Sequence, residues 1–242
     1  MRLIGDYHTH TIFSHGKGSI RDNVEAARAK GLKQIAICDH GPGHRLYGVD
    51  KEALFQMRNI IDELKGQYDD IDILLGIEAN VMDYDGGIDV DDDILGIIDI
   101  LLLGFHYGII PRDWDSMLKF FILNPLSKIL PPIRKDMIGW NTGAIIKAMD
   151  RYPIDLITHP GSKARLDIER LARAACARGV ALEINSSHSQ LSIENIKIAL
   201  EEEVEFYINS DAHHPSEVGE VDIGIARALE AGVPIERIVN VE

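Results

Sequence analysis

Short apolar runs alternate along the chain with longer stretches in which apolar residues recur at helical spacing. The runs at 3–7, 34–38, 72–77, 98–104, 156–158, 181–184 and 205–208, with a further candidate at 238–241, are rich in Ile, Leu and Val. Most lack strict in–out alternation, as expected of strands covered on both faces. Helix candidates with recognisable ends lie between them. Ser19 is placed to cap 20–30 and Gly31 to stop it. Stretches 51–65, 168–178 before Gly179, 192–203 and 223–231 before Gly232 follow similar rules. Strand–helix alternation over the whole length predicts parallel strands joined by right-handed crossovers. The expected class is α/β, a distorted barrel of seven or eight strands, with a doubly wound open sheet as second choice.

The rhythm breaks once. Residues 107–140 contain Trp114, Phe120, Phe121, Pro125, Pro131 and Pro132 but no clear strand. Connections that long are usually functional or mobile. An inserted helical hairpin packed on the barrel is the leading expectation for its apolar stretch, 117–133. A lid, an oligomer contact and a membrane-surface element are the alternatives.

Length and charge narrow the picture. The 242 residues suit one α/β barrel, so 1–242 is expected to form a single domain. With 39 Asp+Glu against 25 Lys+Arg the formal net charge is -14. That sign argues against broad binding to nucleic acid or an anionic membrane, since no basic stripe can neutralise many phosphates. A small anionic substrate remains compatible, because bound metal can outweigh a diffuse negative surface. Cys38 and Cys176 are too few for a disulfide framework and are expected as buried free thiols. The first residues lack the apolar stretch of a signal peptide, and no run approaches the ~20 apolar residues that span a bilayer. The expectation is a cytoplasmic chain with no membrane span.

The candidate chemistry follows from where the histidines fall. His8 and His10 follow the first strand candidate, His40 the second, His106 the fourth, His159 the fifth and His213 the seventh. His15 lies just beyond the first pair, Glu78 follows the third strand candidate, and Asp211 sits beside His213. If the strands are parallel, these ends share the face where α/β active sites form. Residues two apart on a strand project to one side, so His8 with His10, and Asp211 with His213, can converge on one ion. Asp6 shares that side and is expected to accept from an imidazole N–H. Nine donors exceed what one ion can use, so two or three divalent ions are implied. An imidazole-rich set with two carboxylates suits Zn, with Mn, Fe or Co as alternatives. Such a pocket stays net positive with its ions bound, which favours a phosphate and its transition state.

In family order, the chain contains Asp6-Tyr7-His8-Thr9-His10-Thr11, Ser14-His15, Cys38-Asp39-His40-Gly41-Pro42, Gly76-Ile77-Glu78-Ala79-Asn80, Gly104-Phe105-His106, Thr158-His159-Pro160-Gly161, Leu182-Glu183-Ile184-Asn185 and Asn209-Ser210-Asp211-Ala212-His213. This ordered set resembles the PHP family (polymerase and histidinol phosphatase), and within it the YcdX-like single-domain phosphatases. The resemblance implies a distorted (β/α)7 barrel with a trinuclear metal centre at the C-terminal ends of its strands. His8, His10, Glu78 and Asp211 would hold one ion. Glu78 would bridge to a second, shared with His106 and His159, and His15, His40 and His213 would hold the third. The family then implies hydrolysis of a phosphate ester by a metal-bound hydroxide. His10 and His15 are five apart, one fewer than in the YcdX-like pattern, and 107–140 is longer and more apolar than the equivalent connection.

Outside that set, His44 and Arg45, Lys163 and Arg165, and Asn185 are candidates for touching the substrate, weighed against solvated surface charges or, for Asn185, a helix cap. His188 and His214 read as solvent-facing neighbours. The acidic run 89–93 reads as the opening of a helix at 94–98, where the dipole favours carboxylates, rather than as a calcium loop. The expected activity is hydrolysis of a small phosphomonoester, with no stable nucleic-acid partner and homo-oligomerisation left open. Three other readings compete: an amidohydrolase-type hydrolase, a PHP-type nuclease, and a non-catalytic metal-binding module that docks through 117–133.

Overall fold

The structure, a computed structural model, describes residues 1–242. Seven parallel strands form one sheet in sequence order: β1 (Gly5–Thr9), β2 (Gln34–Ile37), β3 (Asp72–Asn80), β4 (Ile100–Gly104), β5 (Leu156–Ile157), β6 (Ala181–Asn185) and β7 (Phe206–Asn209). The sheet curls until its edges nearly meet. Beyond β7, the Ala212 carbonyl accepts from the His10 N–H at 2.8 Å, and Thr9 bridges Ala212 in parallel. The molecule is therefore a nearly closed barrel of seven strands.

The eighth candidate, 238–241, is not a strand. It makes single bridges only, Ile238 to Phe206 and Val241 antiparallel to Leu3. It underpins the open seam without adding a rung.

Helices α1 (Ile20–Ala29), α2 (Lys51–Lys65), α3 (Asp92–Leu95), α4 (Trp114–Leu118), α5 (Asn124–Ser127), α6 (Pro131–Arg151), α7 (Ile168–Cys176), α8 (Ile193–Leu200) and α9 (Asp222–Ala231) fill the connections. Their starts are encoded locally. Ser19 and Asp22 close a capping box on α1, and Asp50, Asp167 and Ser192 cap α2, α7 and α8. Gly232, in the left-handed region, ends α9. Cys176 proves exposed, whereas Cys38 is buried. No helix is long and apolar enough to cross a membrane.

Segment 107–140 is helical, as expected. α4 runs through a π turn (Lys119–Leu123) into α5, and α6 turns back against them. A buried asparagine pair anchors this hairpin. Asn141 receives the Tyr84 hydroxyl at 2.9 Å and donates to Asn124 at 3.3 Å, while Asn124 donates to the Lys163 carbonyl at 3.3 Å.

The barrel interior is polar only at one end. Tyr7, Ala36, Cys38, Ile100, Leu102, Leu156 and Ala181 fill its lower part as one apolar cluster. Gly76 leaves room there, since a Cβ would lie 2.3 Å from Cys38 Sγ. The two-residue period then carries the inward face upward, from Gly76 to Glu78 and Asn80, from Leu102 to Gly104 and His106, and from Ala181 to Glu183 and Asn185. A single register thus places apolar filling below and chemistry above.

Candidate metal centre

Glu78 stands at the middle of the C-terminal mouth, ringed by imidazoles. Its Oε1 lies 2.9 Å from His159 Nε2, 3.1 Å from His106 Nε2 and 3.3 Å from His8 Nε2. Its Oε2 lies 2.8 Å from His40 Nδ1 and 3.7 Å from His10 Nε2. Asp211 closes the other side, 3.2 Å from His10 Nε2 and 3.5 Å from His8 Nε2. His213 and His15 complete the cluster; their ring centroids are 4.1 Å apart, and His15 stacks on His40 at 4.9 Å. All nine expected donors converge, His15 included. One fewer residue after His10 still lets the turn at 11–15 fold back over the site.

Three subsets have ligand atoms within 4.8 Å of one another: His8, His10 and Asp211; His40, Glu78 and His106; and His10, His40 and His213. Despite these close approaches, His8 Nε2, both nitrogens of His10, His15 Nδ1, His40 Nδ1 and Glu78 Oε2 are buried and none meets a partner at a hydrogen-bonding angle. Groups of this kind are costly to leave unpaired. Lone pairs aimed at a common centre, from mixed imidazole and carboxylate donors, fit divalent zinc, manganese or iron.

Protonation states agree with that fit. Burial pushes the Glu78 and Asp211 carboxyls up, but the surrounding imidazoles outweigh it and hold both below the usual carboxylate range. Burial also pushes His10 well down, and His15 and His106 down to about 4. For His8 and His159, neighbouring carboxylates outweigh burial and push the rings up. Ionised carboxylates beside neutral His10, His15 and His106 are states that a metal can use, and a bound cation would replace the proton that the carboxylates draw onto His8 and His159.

Several residues within the family-matching stretches, given no role from sequence, prove to support the site. Glu183 accepts from His8 Nδ1 at 2.8 Å, from the His159 N–H at 2.7 Å and from Asn209 Nδ2 at 3.0 Å. Asn80 Oδ1 lies 2.8 Å from His106 Nδ1. Asp39 takes the Thr11 N–H at 2.7 Å together with the Thr11 and Ser14 hydroxyls, fixing the turn before His15. The available signal was a carboxylate or amide inside an otherwise apolar strand run, as with Glu183 between Leu182 and Ile184. Asp6 was expected to hold an imidazole. Instead it accepts from Ser210, from the Gly219 N–H at 2.8 Å and from the His8 backbone, tying β1 to the loop beyond β7. Asp89 was grouped with the helix-opening acids; it is half-buried and receives the Asn80 N–H at 2.7 Å and the Gly43 N–H at 2.8 Å. Asp91, Asp92 and Asp93 do open α3, which ends at Leu95, short of 98.

The centre opens into a cavity of about 270 Å³ also lined by His44, Tyr47, Tyr107, Lys163 and His188. His188, read as solvent-facing, is half-buried with Nε2 3.6 Å from Asp211 Oδ2. His44 is buried, and its Nδ1 accepts the Tyr47 N–H at 3.1 Å, so its Nε2 carries the proton. Arg45 points to a neighbouring apolar groove, and Arg165 is exposed away from the cavity. Asn185 is buried beneath Asp211, to which it donates at 3.1 Å. His214 caps the turn at 215–217. His159 and Asp211 both adopt positive φ, 27° and 57°, a cost that the hydrogen bonds around them offset.

A parallel barrel with imidazoles and carboxylates gathered at its strand ends defines a metal-dependent hydrolase. The chain belongs to the PHP domain family, whose model matches residues 6–187. It is 32% identical over 250 residues to a protein of Shewanella piezotolerans described as "Probable phosphatase", covering 99% of this chain and 90% of the relative. A protein of Tolumonas auensis with the same description is 31% identical over 256 residues, with the same coverage, 99% and 90%. In fold the chain is similar to the histidinol phosphate phosphatase of Lactococcus lactis, solved with zinc, L-histidinol and phosphate. The TM-score is 0.64 at 16% identity, covering 96% of this chain and 94% of that one. A protein of Listeria monocytogenes described as "putative histidinol phosphatase" gives 0.65 at 14% identity, covering 89% and 97%.

Proposed function

We propose that this chain, a metal-dependent phosphoesterase of the PHP family, hydrolyses a small phosphomonoester at a centre of two or three divalent ions, zinc foremost. The convergence of unpartnered buried donors around Glu78 carries the reading. His8, His10 and Asp211 would hold one ion, and Glu78 with His106 and His159 a second. His15, His40 and His213 would hold the third, with His10 close enough to share. Such ions acidify water into a nucleophile at neutral pH and draw charge from phosphoryl oxygens.

The chain's own groups do the rest. Glu183 and Asn80 fix the tautomers of His8 and His106, keeping each Nε2 free to face the centre. His44 presents an N–H at the cavity wall, where it can donate to a phosphoryl oxygen. Lys163 brings the cavity's one lysine or arginine charge to the rim, suited to an anionic ester. A cavity of about 270 Å³ suits a small substrate.

The test is a phosphate-release screen of sugar phosphates, nucleotides, histidinol phosphate and p-nitrophenyl phosphate, with elemental analysis of the purified protein. Two or three metal equivalents with selective release, abolished in Asp211→Ala, are expected. A single equivalent with full turnover in that variant would refute the proposal.

A further inference from the structure

The hairpin at 107–140 is built inside out. Along α4, the π turn and α5, Ser116, Asn124 and Ser127 are buried beside Phe120, while Trp114, Leu118, Phe121 and Ile122 face outward. Trp114 is 84% exposed, and Ile129 beyond α5 is 72% exposed. Leu46 and Ile110, 74% and 53% exposed, join Met117 and Phe121 around an apolar groove on the same side. Scattered exposed apolar residues are ordinary, but a continuous helix face of them marks a surface that is covered in use.

Charge selects what covers it. In a chain of net charge -14, residues 107–140 carry Arg112, Lys119, Lys128, Arg134 and Lys135 against Asp113, Asp115 and Asp136, a local excess of two positive charges. Lys119 is matched by Asp115. Lys128 lies 3.4 Å from the Tyr107 hydroxyl, and Arg134 donates to the Ser127 and Lys128 carbonyls, so both keep their charge without a carboxylate. Arg45 flanks the groove. A second copy docking by the same face would set these cations against each other, whereas an anionic lipid surface pairs them. Apolar side chains between cations are the composition of an element that lies in a membrane interface. The acidic remainder of the molecule is screened beyond about 8 Å at physiological ionic strength.

We infer that 107–140 docks this protein on anionic bilayer surfaces, with Phe121, Ile122, Ile129 and Leu46 entering the interface and Lys128, Arg134 and Lys135 meeting the headgroups. The reading stands apart from the hydrolytic one. The Tyr107 hydroxyl donates to the Lys163 carbonyl at 2.8 Å, and both residues line the metal cavity, so the root of the hairpin lies at the cavity rim.

Co-sedimentation with vesicles of phosphatidylcholine alone, and of equal parts phosphatidylcholine and phosphatidylglycerol, tests it. Binding to the mixed vesicles only is expected, lost at about 0.5 M salt. Lys128→Gln with Lys135→Gln should weaken partitioning about thirtyfold. Phe121→Asp with Ile122→Asp should abolish it, with p-nitrophenyl phosphate turnover and the far-UV spectrum unchanged. Equal binding to both vesicle types would overturn the inference. So would no binding by a protein that light scattering shows to be an oligomer, dispersed by the aspartate pair.

Discussion

Glu183 Oε1 accepts a hydrogen bond from His8 Nδ1 at 2.8 Å, with neither side chain exposed to solvent. This contact settles which nitrogen of His8 faces the centre, and the other oxygen of Glu183 holds the backbone of His159 at 2.7 Å. One carboxylate thus orients donors from β1 and from the end of β5.

Glu183→Gln keeps the volume and one acceptor but removes the charge that makes His8 a strong donor. The metal affinity of the folded protein should fall about 10- to 100-fold, as when an orienting partner is lost. Competition with a zinc-chelating dye would measure it. Undiminished affinity would show that His8 needs no such partner.

Asp89 reaches the same centre at one remove. It fixes Asn80, which orients His106, and holds Gly43 in the loop after His40. Asp89→Ala strands two backbone N–H groups and should cost about 3 kcal/mol. Denaturant unfolding of the metal-free protein would check the figure.

The convergence of these nine side chains was legible because a residue at a strand end leaves a local mark: an imidazole or carboxylate just after an apolar run. The barrel was legible for the same reason, although β3 runs on to Asn80 and 238–241 forms no rung. Supporting groups were harder to see. Glu183, Asn80 and Asp39 act across the barrel on partners 25 or more residues away, a relation that no local pattern carries. Asp6 and Asp89 show the converse, since their neighbours in sequence suggested one role and the closing of the barrel assigned another. The inverted hairpin was invisible because its apolar residues read as core until burial is known.

His15 is the most exposed of the expected donors apart from His213, and it packs against the rings of His10, His40, His213 and Tyr47. His15→Ala should therefore unfold nothing while lowering bound metal by about one equivalent. Elemental analysis beside a thermal scan would test this. A full complement of metal would remove His15 from the ligand set.

Alkaline pH should expose a second weakness. Burial pushes the Tyr7 hydroxyl up to about 12, with the nearby Tyr207 and Asp72 adding to it. In the unfolded chain the group ionises near its ordinary value of about 10. Stability from the neutral hydroxyl is complete below that value and is lost as pH rises toward the folded one. Tyr7→Phe, which gives up the hydrogen bond to Gln34, should melt lower at neutral pH yet lose less between about pH 10 and 12. Thermal midpoints across that range would check the crossover.

Metal removal should be the largest single perturbation. Without ions, His8 Nε2, both His10 nitrogens and Glu78 Oε2 stay buried with no hydrogen-bond partner, beside an Asp211 carboxylate held ionised. Each unpaired group weighs against the folded state and is relieved when a cation binds. Because ions bind this geometry only once the barrel has closed, loading at about 1,000 times the dissociation constant should stabilise the fold by roughly 4 kcal/mol per ion. The melting temperature should fall on chelation and recover on adding zinc. Asp211→Ala should shrink that recovery, since it removes a carboxylate from the His8 and His10 subset. Recovery of full size in this variant would mean that the stabilising ion binds elsewhere.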